Sequence, residues 1–161
     1  MSLKRGNLAR GILAGAAAGA AGTTALNAVT YLDMAVRGRP TSSTPEDTVE
    51  KLSDKARIAI PGDHDTHDNR VAGLGPLTGL VAGVGIGVAL GACRSAGWRP
   101  GPIVAGLAAT AGALVGTNGP MTALGVADPR TWSINAWITD IVPHLGYGAV
   151  TAAALKRLDP D

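Results

Sequence analysis

Phenylalanine is absent from this 161-residue sequence, and the five aromatic residues are Tyr31, Trp98, Trp132, Trp137 and Tyr147. Charge is scarce as well: 16% of residues are Asp, Glu, Lys or Arg, where a soluble domain carries about a quarter. A water-soluble core of this length is filled by large side chains that tile at high density, and here Ala and Gly would have to do it. That excludes an ordinary soluble globule. Disorder is excluded in turn, because 46% of the chain is apolar and its net charge is only +2. The one cysteine, Cys93, has no partner for an internal disulfide and no neighbouring ligands for a thiolate metal site, so it reads as a small apolar residue at a helix end. No run of Lys or Arg is interleaved with aromatics, which removes nucleic acid as a partner. A nucleophile elbow, a paired acidic metal motif and a phosphate loop are all missing, so neither an enzyme nor a cofactor is expected.

What the sequence does have is glycine, 23 residues of it, and long stretches without charge. Gly11 to Leu32 (22 residues), Val71 to Cys93 (23) and Gly101 to Ala127 (27, interrupted by Pro120) contain no charged residue. About 20 helical residues cross a hydrocarbon core of about 30 Å, so all three are long enough. A fourth segment, Thr131 to Leu155, carries Asp140, Pro143 and His144 and is read as a span because the other three set the context. The expectation is an all-α integral membrane four-helix bundle in one domain, residues 1–161. Its spans lie at about 9–36, 71–93, 102–119 and 132–155, with a polar connection over 37–70. Tyr31, Trp98, Trp132 and Trp137 fall near span ends, where amphipathic rings collect, and Tyr147 does not. A cleaved secretory signal competes for the first segment, since Lys4, Arg5 and Arg10 precede it; signal cores run about 7–15 residues, shorter than this one.

Four spans place both termini on one side, with Lys4, Arg5, Arg10, Arg94, Arg99, Lys156 and Arg157; the other side holds Arg37, Arg39, Lys51, Lys55, Arg57, Arg70 and Arg130. The counts tie. The first group sits in shorter segments close to the membrane, which favours cytoplasmic termini.

Spacing indicates how the spans pack. The second places Gly75, Gly79, Gly83, Gly87 and Gly91 at intervals of four; the first has Gly11, Gly15 and Gly19, and the third has Gly112 and Gly116. Rows of small residues let helix backbones approach closely in lipid, where hiding apolar side chains from lipid tails brings no gain. A tight bundle that self-associates or binds a membrane partner follows. At an offset of 91, residues 11–27 match 102–118 at seven of seventeen places, including Gly15/Gly106 and Asn27/Asn118. This pattern reads as two tandem helical hairpins, with Asn27 and Asn118 equivalent and facing a shared centre.

In the polar connection, Thr44, Pro45 and Asp47 fit a helix start, and Val49, Leu52 and Ala56 make an apolar stripe that Pro61 stops: a short helix on the membrane surface. His64 and His67 follow among carboxylates; they are weak metal candidates, and a solvated segment capping the next helix is the preferred reading.

Polar groups within the spans cost free energy in hydrocarbon unless paired. The fourth span aligns Trp137, Asp140, His144, Tyr147 and Thr151 near one face, and Pro143 leaves the Thr139 carbonyl without its helical donor. Asn27, Asn118, Asp140, His144 and Tyr147 are therefore the candidate polar residues. They form either an interhelical network that fixes register, which is the reading adopted, or a conduit for protons, ions or a small polar solute.

The segment Gly101 to Arg157, with Gly119-Pro120-Met121-Thr122-Ala123-Leu124-Gly125, then Trp132, then Pro143-His144-Leu145-Gly146-Tyr147-Gly148, resembles the YagU-like small bacterial inner-membrane proteins. The resemblance covers the C-terminal part and departs from that pattern in the His-free second span and the missing Phe. It implies a bacterial inner membrane and no particular activity.

Overall fold

The computed structural model describes residues 2–159, with side chains from residue 7 on; Lys4 and Arg5 of the charge count lie outside the described side chains. Among the described residues the chain is helical throughout, without strands: α1 (Ser2–Arg37), α2 (Thr44–Ala56), α3 (His64–Ser95), α4 (Pro102–Ala123), a single 3-10 turn (Pro129–Thr131) and α5 (Ile134–Leu158).

Local chemistry sets the boundaries. Gly38, at φ 63°, ends α1, and Gly125, at φ 71°, follows α4. The second long helix starts seven residues earlier than the uncharged stretch, because the Asp63 side chain accepts from the Thr66 N–H at 3.0 Å and caps it. Residues 64–70 are thus its first turns. Ser133 caps α5 in the same way, accepting from the Ala136 N–H at 3.2 Å. Pro120 lies inside α4 and does not end it; a proline removes one hydrogen bond, and the helix resumes beyond it. The surface helix α2 forms as expected, with two changes. Its N-cap is Ser43, Thr44 being already helical, and it ends at Arg57 in a left-handed conformation at φ 56°, four residues before Pro61.

The four long helices alternate in direction. Gly11, Gly15 and Gly19 of α1 meet Gly91, Gly87 and Gly83 of α3, so these two helices are antiparallel and nearly in backbone contact. An ideal Cβ on Gly11 or on Gly19 would lie 2.6 Å from the facing Gly91 or Gly83 carbonyl oxygen, which explains why no side chain stands there. In the second hairpin, Gly148 of α5 packs against Thr110 and the Gly106 carbonyl of α4. The registers correspond: Gly15 meets Gly87 as Gly106 meets Gly148, at the offset of 91 on the first helix of each pair.

The hairpins differ at the far end. There Gly75 faces Glu46 of α2, whose backbone N lies 3.1 Å from the added Cβ position, and Gly79 has no neighbour within 4 Å. Neither has an α1 atom among its nearest neighbours. Gly112 and Gly116 meet only the flexible Ile86 side chain, at 3.3 and 3.6 Å. They are ordinary packing positions, not a close backbone approach.

The interior is small: Ala14, Ala18 and Leu155 form one cluster, and Ala109, Ala113 and Tyr147 another. The exterior is large and apolar, with Leu13, Val81, Ile103, Leu107, Val115, Ile134 and Ile138 all more than half exposed. Two helices are long and apolar enough to cross a membrane by length and composition, Asn7–Arg37 and His64–Ser95. The four-span expectation had counted α4 and α5 too; Thr117 and Asn118 in one, and Asn135, Asp140 and His144 in the other, lower their apolar content.

Candidate functional site

The polar face of α5 meets the polar end of α4. Asn118 Nδ2 donates to Asp140 Oδ2 at 2.8 Å. One turn on, His144 Nδ1 lies 2.7 Å from the Asp140 main-chain carbonyl and 3.4 Å from Asp140 Oδ1. A carbonyl only accepts, so Nδ1 carries the proton in this pair. His144 Nε2 faces Thr117 Oγ1 at 3.4 Å, and that hydroxyl also lies 3.0 Å from the Ala113 carbonyl. Its single proton can serve one of the two. Thr110 Oγ1 sits between the Gly106 and His144 carbonyls, at 2.9 and 3.2 Å. Pro143, which is buried, has no N–H for the Thr139 carbonyl.

Tyr147 crosses the bundle. It is 1% exposed, and its hydroxyl donates to the Gly83 carbonyl of α3 at 2.6 Å. Gly22 of α1 makes room for it: a Cβ there would meet the Tyr147 ring at 2.9 Å as well as the Thr151 hydroxyl. One aromatic ring therefore ties three helices together.

Both ends of this assembly are held by ions. Arg37, at the end of α1, donates to Thr139 Oγ1 and Asn135 Oδ1 of α5, each at 3.0 Å, and pairs with Asp33 at 3.3 Å; Arg39 also pairs with Asp33. At the opposite end Arg94 and Asp159, both buried, meet through Arg94 Nε to Asp159 Oδ2 at 3.4 Å and Arg94 NH2 to the Asp159 carbonyl at 2.7 Å. Arg99 reaches the same carboxylate at 3.3 Å and Arg10 at 4.0 Å.

Of the candidate polar residues, Asn118, Asp140 and His144 are brought together, and Tyr147 lies one turn beyond. Asn27 is not with them; it is exposed on α1. It therefore does not share the part-buried setting of Asn118, its expected equivalent. His64 and His67 lie on the first turns of α3, paired with Asp68 at 3.6 and 3.3 Å, and His67 also with Glu50 at 3.6 Å. Among the described residues no group of three or more His, Cys, Asp or Glu is placed to hold a metal ion.

Sequence reasoning missed Glu46, whose Oε2 is buried without a hydrogen-bond partner among the described residues, as are Asn118 Oδ1 and Thr151 Oγ1. It also missed the Arg94–Asp159 pair; the signal available was an acid following Lys156 and Arg157 at the end of the last helix. Comparison with protein-family models, with curated proteins and with solved structures finds no match to this chain.

Proposed function

We propose that this chain is a four-span integral membrane protein, without enzymatic activity, that serves as a structural or accessory bundle, self-associating or binding a membrane partner. The observation that carries the reading is the distribution of side-chain size. Exposed Leu13, Val81, Ile103, Val115 and Ile138 ring the four long helices, whereas the interior holds Ala14, Ala18, Ala109, Ala113, Thr110 and His144. In water that arrangement discards most of the hydrophobic gain of folding. In lipid it places bulk against acyl chains and small groups where backbones touch. The resemblance of Gly119–Gly125, Trp132 and Pro143–Gly148 to the YagU-like proteins favours a bacterial inner membrane, with both termini in the cytoplasm. A filled interior favours packing over passage: Tyr147 occupies the centre, bonded to Gly83.

Carbonate-washed membranes from expressing cells test the first part, since an integral protein stays in the pellet and release into the wash refutes the span count. Purification in mild detergent tests the second: the chain should elute as an oligomer or with a stoichiometric partner. One observation favours a conduit, namely Asn118 Oδ1 and Thr151 Oγ1 buried without partners on the α4 and α5 polar faces. Proteoliposomes that dissipate a pH or cation gradient, and lose this with His144→Ala at unchanged stability, would replace the accessory reading.

A further inference from the structure

The two ends of the bundle differ in charge, and the difference lies in acids. Around the start of α1, the end of α3, the following loop and the end of α5, the described residues include five basic side chains, Arg10, Arg94, Arg99, Lys156 and Arg157, and one acid, Asp159. The opposite end, from Asp33 to Arg70 and from Asp128 to Arg130, has seven basic and nine acidic residues. Asp159 is buried against Arg94 and is also reached by Arg99 and Arg10, so one carboxylate faces three guanidinium groups and the end keeps an excess of positive charge. The outward surface is carried by Arg10, whose side chain is 62% exposed, by Arg99 at 33%, and by Lys156 and Arg157, both exposed.

Trp98 stands next to Arg99 and is 42% exposed. An amphipathic ring at a helix end marks headgroup depth. Behind it, Leu90, Ala105, Ala152 and Leu155 line a small crevice together with Arg94 and Trp98. That crevice, about 10 Å³ and closed by the buried Arg94, is too small for an acyl chain, so the ligand chemistry lies outside it: the exposed Arg10 and the partly exposed Arg99 beside Trp98 offer guanidinium forks, which bind phosphate oxygens in pairs.

We propose that the Arg10, Arg99, Lys156 and Arg157 end of the bundle, with Trp98 at its edge, binds the head groups of anionic phospholipids. The proposal rests on the membrane reading and adds a lipid class and a face to it. The headgroup is the source of the phosphate because the exposed Trp98 and the exposed apolar Ile103 and Val104 that follow it place the cations at the lipid boundary.

The experiment reconstitutes the full chain in nanodiscs of phosphatidylcholine alone or mixed with phosphatidylglycerol, then counts lipids retained after mild detergent by native mass spectrometry. Phosphatidylglycerol should be retained at least about fivefold over its share of the mixture, the factor that one favourable surface cation supplies, and the enrichment should fall as salt is raised. A combined Arg10→Gln, Lys156→Gln, Arg157→Gln variant should lose it, while Arg57→Gln and Arg130→Gln at the other end should keep it. Equal retention of the two lipids, or enrichment that survives high salt, overturns the proposal, and neither readout requires a variant to fold. Inorganic phosphate that displaces the retained lipid would reassign the surface to a soluble anion and overturn the lipid assignment. Failure of the chain to enter either nanodisc would instead overturn the membrane reading itself.

Discussion

A methyl group added at Gly87 would sit 2.6 Å from Gly19 Cα and 2.7 Å from Gly19 N. Both are backbone atoms, so the α1–α3 seam would have to open over its whole length. Gly87→Ala should therefore cost about 1–3 kcal/mol, the usual range for overpacking, read as a lowered unfolding midpoint in detergent. Gly79→Ala belongs to the same sequence row, yet nothing lies within 4 Å of it. It should leave stability within about 1 kcal/mol of the parent, helix propensity acting in its favour. Equal losses at the two positions would contradict the packing described. Tyr147→Phe separates the ring from its hydroxyl: the ring still fills the space beside Gly22, and only the bond to the Gly83 carbonyl is lost. That carbonyl keeps its own helical donor, so the cost should be about 1 kcal/mol in the same assay. A much larger loss would mean that the hydroxyl also serves the buried Thr151, whose Oγ1 has no other partner among the described residues.

At the scale of the element, the start of α3 depends on pH through its cap. The Thr66 side chain and then the Thr66 backbone N–H hold the Asp63 carboxyl below its ordinary value of 3.8. A folded-state value below the unfolded one stabilises the fold above the unfolded value, and that contribution fades as pH falls through the folded value. Acid should thus fray His64 to Arg70 first. The protection factors of the Thr66 and His67 amides, that is their exchange corrected for the intrinsic pH dependence, should fall below about pH 4, and Asp63→Ala should show the lower protection at neutral pH and converge with the parent in acid; protection that does not change with pH in the parent chain would refute the cap. The element scale is also where sequence reading reached furthest. Charge-free length, with Pro45 as a first-turn proline, indicated all five helices; most ends fall within a few residues of those expected, while α1 and α3 each start seven residues earlier. What escaped it were contacts between elements. Nothing in residues 37–70 says that α2 lies along α3 at Gly75, and without that contact Gly75 and Gly79 look like more of the row that ends at Gly91. The Asn118–Asp140–His144 cluster was legible because two prolines and three polar side chains interrupt apolar helices. The exposure of Asn27 was not, since it depends on which face of α1 turns toward α3 and α5.

The whole molecule has a direction, and one native atom reports it. Cys93 is the single cysteine, is exposed, and lies in the last turns of α3 beside Arg94, at the end shared by the start of α1 and the close of α5. Orientation follows the basic residues nearest the membrane. The Lys and Arg totals of the two ends tie, but their placement does not: Arg10, Arg94, Arg99, Lys156 and Arg157 all lie on or next to the long helices, whereas at the other end Arg37, Arg39, Arg70 and Arg130 do so while Lys51 and Lys55 ride on α2 and Arg57 follows it. The Arg10 end should therefore face the cytoplasm. A membrane-impermeant maleimide should leave Cys93 unmodified in intact spheroplasts and label it in inverted vesicles, with full labelling after denaturation as the control and Cys93→Ser as the blank. A cysteine placed at Ser53 of α2, in a Cys93→Ser background, should give the opposite pattern, because only α3 lies between the two positions. Labelling of both from the same side would mean that α3 does not cross the bilayer, and labelling of Cys93 from outside alone would reverse the proposed orientation while leaving α3 across the bilayer.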